Sequence, residues 1–109
     1  SKQLITGGGT MPKDVSVTVT PGVGIAIDPT TPIQLKKNQD TIEWKSTTQD
    51  QQFTIVLPAG EPPVTCSFQG SRWVCSAGPF TTGSTMRNIK YDITAPDTPT
   101  LDPDLEIFP

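Results

Sequence analysis

Asp40–Leu57 reads DTIEWKSTTQDQQFTIVL, and its pattern decides the fold class. Ile42 and Trp44 alternate with Thr41, Glu43 and Lys45, the polar segment STTQDQ intervenes, and Phe53, Ile55 and Leu57 resume the alternation. A period of two is the mark of a half-buried strand. The stretch therefore predicts two strands around a polar loop, with Trp44 turned inward.

Towards the N-terminus the same pattern repeats. Val15, Val17 and Val19 alternate through VSVTVT and stop at Pro21-Gly22, a pair that breaks strands. Val23, Ile25 and Ile27 repeat it through VGIAID, and the prolines at 29 and 32 leave the backbone few choices, so they predict a stiff corner. Ile33 and Leu35 follow, and KNQD (Lys37–Asp40) forms the next turn. Residues 1–13, SKQLITGGGTMPK, carry three consecutive glycines and no usable period, which predicts a flexible arm ahead of a single domain over 14–109.

Towards the C-terminus, PAGEPP (Pro58–Pro63) is a loop, and VTCSFQ and RWVCSA flank Gly70-Ser71. Glycine first in a two-residue connection suits a type II′ hairpin. GPFTTGSTM (Gly78–Met86) is irregular, NIKYDIT alternates through Ile89, Tyr91 and Ile93, and the proline-spaced APDTPTLDP leads to a last strand, DLEIF. About eight short strands separated by frequent turn signals, with twelve prolines and no 3.6-residue period, predict an all-β fold: an antiparallel Greek-key β-sandwich.

The hairpin places Cys66 and Cys75. With Gly70-Ser71 as the loop, Gln69 faces Arg72, Phe68 faces Trp73, Ser67 faces Val74 and Cys66 faces Cys75. Counting out from the turn, 66/75 is a non-hydrogen-bonded pair, the closer kind, about 4.5 Å between α-carbons. A cross-strand disulfide is feasible at that separation and implies an oxidising, periplasmic or secreted setting. Two reduced thiols in a cytosol, or a redox-active pair, are the alternatives. Phe68 and Trp73 share the face of the cysteines, and a hairpin near a sheet edge can present them to a ligand or partner.

Composition narrows the chemistry. The absence of histidine removes Ser–His–Asp and Cys–His catalysis and imidazole-based zinc and copper sites. Eight Lys/Arg against eleven Asp/Glu give a net charge of −3, and the five acids from Asp92 onward face no base in that segment. Nucleic-acid binding wants a clustered basic surface, and Lys36–Lys37 with Arg72, Arg87 and Lys90 are the only contributors. No apolar run approaches the roughly 20 residues of a spanning helix.

The order IQLKKNQDTIEWKST, QQFTIVL, an irregular stretch, IKYDIT and a closing DPDLEIF resembles the cupredoxin, or blue-copper, family over about residues 33–108. The resemblance implies a cupredoxin-like sandwich. It also implies where copper ligands would stand: Gln52 occupies about the place of the first histidine and Ile93 about that of the cysteine, and the loop after Thr94 has neither histidine nor methionine. The family's electron-transfer activity therefore does not carry over, and no cofactor or metal is expected. The leading expectation is a non-catalytic, copper-free binding or accessory module with a protein partner in an extracytoplasmic assembly. A small-ligand or carbohydrate-binding domain using Phe68, Trp73 and the Gly78–Met86 loop is the alternative. A copper or redox protein ranks below both.

Overall fold

Alternating valines, isoleucines and threonines bury one side of an extended chain and wet the other, so their segments are stable only as paired strands with a shared apolar face. The computed structural model describes residues 11–49 and 51–109. Its described residues form strands and no helix: β1 (Met11–Thr20), β2 (Gly24–Asp28), β3 (Ile33–Lys36), β4 (Asp40–Ser46), β5 (Thr54–Val56), β6 (Thr65–Gln69), β7 (Arg72–Ala77), β8 (Arg87–Lys90), β9 (Asp92–Ala95), β10 (Thr98–Leu101) and β11 (Asp104–Phe108). They make one five-stranded sheet, ordered β2-β1-β4-β7-β6, and two three-stranded sheets, β10-β9-β5 and β3-β11-β8.

Three expectations are modified. The strands number eleven among the described residues rather than about eight. NIKYDIT divides at Tyr91, because β8 pairs with β11 whereas β9 pairs with β5 and β10, so the chain changes sheet there. β10 forms inside the proline-spaced loop and pairs irregularly with β9.

The sheets are also not purely antiparallel: β1 runs parallel to β4, and β3 parallel to β11. The corner at Pro29–Pro32 carries the chain out of the five-stranded sheet, where β2 lies, to β3 in another sheet. β4 then re-enters beside β1 in the same direction, the long crossover that parallel pairing requires. Finally, of the arm expected over 1–13, residues 1–10 lie outside the described residues, and Met11–Lys13 pair with Asp40–Ile42 as the start of β1.

The inward residues of all three sheets meet in one core. Val15, Val17, Ile42, Trp44 and Cys75 come from the five-stranded sheet, and Leu35, Ile89, Ile93, Leu105 and Ile107 from the other two. Trp44 and Phe80 are its largest fully buried side chains. Trp44 donates its indole N–H to the Tyr91 hydroxyl at 3.0 Å, with the rings tilted at 5.4 Å between centroids. The strand of the opening stretch thus meets the sheet-switching residue in mid-core, and each polar tip satisfies the other. Val23 departs from its expected inward place: it lies in the turn before β2 and is 73% exposed.

Candidate functional site

The hairpin forms in the register read from the sequence, with Gln69↔Arg72, Phe68↔Trp73, Ser67↔Val74 and Cys66↔Cys75. Gly70 has φ +67°, while Ser71 is not among the residues of positive φ, the combination of a type II′ turn. Cys66 and Cys75 are joined in a disulfide, their α-carbons 4.0 Å apart. The short separation marks 66/75 as a non-hydrogen-bonded pair.

Two further contacts hold the hairpin tip. Trp73 donates its indole N–H to the Phe53 carbonyl at 2.7 Å, anchoring the hairpin to the segment that leads into β5. Arg72 donates to the Ser46 carbonyl at 3.2 Å, at the end of β4. Phe68 packs edge-on against Trp73, centroids 4.9 Å apart at 68°, and is 43% exposed, whereas Trp73 is half-buried. Along the inward-turned face of the hairpin, burial falls from Cys75 in the core, through Cys66, to Phe68 at the surface. The result is an apolar tip held rigidly on β6, an edge strand.

The positions implied for copper ligands are separated in character. Ile93 is fully buried in the core. Gln52 is exposed and helps line a hollow of about 440 Å³ with Val19, Pro21, Gln51 and the Ala95–Asp97 turn. Among the described residues no group of three or more His, Cys, Asp or Glu is placed to hold a metal ion. Met86 is exposed in the loop before β8.

Charged groups are committed elsewhere. Arg87 makes a two-pronged ion pair with Glu61, Nη1–Oε2 2.5 Å and Nη2–Oε1 3.1 Å, and also donates to the Thr81 carbonyl, binding the loops before β6 and before β8 to each other. The hydrogen bond to Glu61 raises the guanidinium's pKa further. Lys90 reaches Asp104 at 3.4 Å. The Asp92 carboxyl is pushed up, chiefly by its hydrogen bond with the Asp102 carboxyl. Burial pushes the Tyr91 phenol up to about 12, the bond from Trp44 working against the shift and the Asp104 charge with it. None of these groups lies on the hairpin. No helix among the described residues is long and apolar enough to cross a membrane.

Sequence spacing brought Cys66, Cys75, Phe68 and Trp73 together. It missed the Trp73–Phe53 bond and the Arg87–Glu61 clamp, whose partners lie 20 and 26 residues apart with no periodic relation. Compared with family models, curated proteins and solved structures, the chain finds no match in any of the three.

Proposed function

We propose that the chain is a non-catalytic, copper-free, cupredoxin-like module that binds a protein partner in an oxidising, extracytoplasmic setting, with the Phe68–Trp73 end of the hairpin as its contact. The carrying observation is an exposed aromatic ring on an edge strand that is fastened three ways, by the disulfide, by Trp73 to the Phe53 carbonyl and by Arg72 to the Ser46 carbonyl. Aromatic anchors that are already ordered lose little side-chain entropy on binding. The disulfide supports the setting. Support for the cupredoxin-like reading is the buried Trp44–Tyr91 pair, which joins two of the segments on which the resemblance rests.

A protein partner is preferred to a carbohydrate. A sugar ring stacks on a flat aromatic face, but here the two rings stand at 68° and the indole N–H is already engaged. Panning a phage-displayed library of 12-residue peptides on the oxidised protein tests the reading. Enriched peptides should lose binding to Phe68→Ser and keep it to Val23→Ser, a change at a more exposed apolar residue outside the hairpin. Enrichment indifferent to Phe68→Ser, or none, refutes the assignment.

A further inference from the structure

Which backbone groups of β6 are open follows from the disulfide. In an antiparallel pair, residues that directly exchange hydrogen bonds alternate with residues whose peptide groups point away from the partner. The 4.0 Å separation puts Cys66 and Cys75 in the second class, and the register places Phe68 and Trp73 there too. Because β6 is the last strand of its sheet, the N–H and C=O groups of Cys66 and Phe68 face outward along an open edge.

The other edges are guarded in the ways folded sheets use. β3 ends in Lys36, and β8 carries Arg87 and Lys90. β10 contains Pro99 and a register shift, and β5 has only three residues. β2 ends in Asp28 and has β10 beside it. β6, TCSFQ, has no charge, no proline within it and no register shift. Among the described strands it is the one edge with none of these protections.

We infer that this edge is the interface of a two-fold dimer, its occupant being β6 of a second copy. The inference rests on the reading of the hairpin as a binding element. An antiparallel pairing centred on Ser67 sets Cys66 opposite Phe68 of the partner and Phe68 opposite the partner's Cys66. All four outward peptide groups on each strand then find partners. The same placement sets each exposed Phe68 ring against the other copy's disulfide, a favourable sulfur–aromatic contact. With no charge on β6, self-apposition meets no like-charge penalty along the seam. Two-fold pairing consumes both edges, so association stops at two.

Such a seam is narrow, so the dimer is weak and depends on concentration. Sedimentation equilibrium on the oxidised protein between about 1 μM and 1 mM reads it. Wild type is expected to pass from monomer to dimer in that range. Ser67→Lys, an exposed change that sets two ammonium groups face to face at the axis, should weaken dimerisation at least about tenfold with an unchanged thermal melt of the monomer. Phe68→Pro, which removes an outward N–H that β7 does not use together with the ring set against the partner's disulfide, should weaken dimerisation as well. A wild type that stays monomeric to 1 mM, species larger than the dimer, or a dimer indifferent to both substitutions overturns the proposal. The first outcome, with peptide enrichment still dependent on Phe68, leaves the protein-binding reading standing and removes only the second copy as occupant.

Discussion

Gly78 has φ +113°, and a methyl group there would lie 3.1 Å from the Thr41 α-carbon and 3.3 Å from the Asp40 carbonyl oxygen. Both neighbours are backbone and cannot swing aside. Gly78→Ala is expected to destabilise the fold by about 1–3 kcal/mol in urea titrations. Tyr91 makes a different prediction. Its folded pKa is raised to about 12, above an unfolded value near 10, so its contribution is complete below about pH 10 and is lost as pH rises towards 12. As the chain's single tyrosine, it gives an ultraviolet titration that reports this group alone. The midpoint should lie well above that of free tyrosine, and a midpoint near 10 would contradict the burial described. Trp44 and Tyr91 were legible as inward residues because each continues an alternation. Val23 was not, because the Pro21-Gly22 turn extends one residue past the point where the alternation resumes.

Among elements, the β6–β7 hairpin was the most legible. Two residues of turn fix the register, and the register fixes which side chains meet. Its disulfide closes a short loop, and on the chain-entropy account replacing both Cys66 and Cys75 by serine should cost about 2–3 kcal/mol. Urea unfolding of that double variant, compared with the oxidised wild type, measures the difference. Wild type in reductant should approach the variant's midpoint. The loops were less legible. Glu61 lies in a proline-rich segment and Arg87 at the head of β8, and nothing in their spacing signals that they meet. The Glu61 side chain is only 12% exposed, so Arg87→Met strands a carboxylate. A loss of about 1–3 kcal/mol is expected, and Glu61→Gln combined with Arg87→Met should recover part of it.

For the whole molecule, periodicity established the fold class but not the topology. Alternation says which side of a strand faces the core and nothing about which strand lies beside it. The parallel pairs β1–β4 and β3–β11 each join segments far apart in sequence, and only the corner at Pro29–Pro32 hinted that the chain leaves one sheet for another. The candidate site was half legible for the same reason. Its side chains were placed by local register, whereas its exposure depends on β6 being the last strand of a sheet, which no local pattern encodes.

The position of β11 bears on biosynthesis. It is the middle strand of its sheet, flanked by β3 and β8, and both flanking strands precede it in the chain. Until Asp104–Phe108 has left the ribosome, β3 and β8 have no common neighbour, and Leu105 and Ile107 are missing from the core. The domain therefore completes its fold only after translation has passed its last strand.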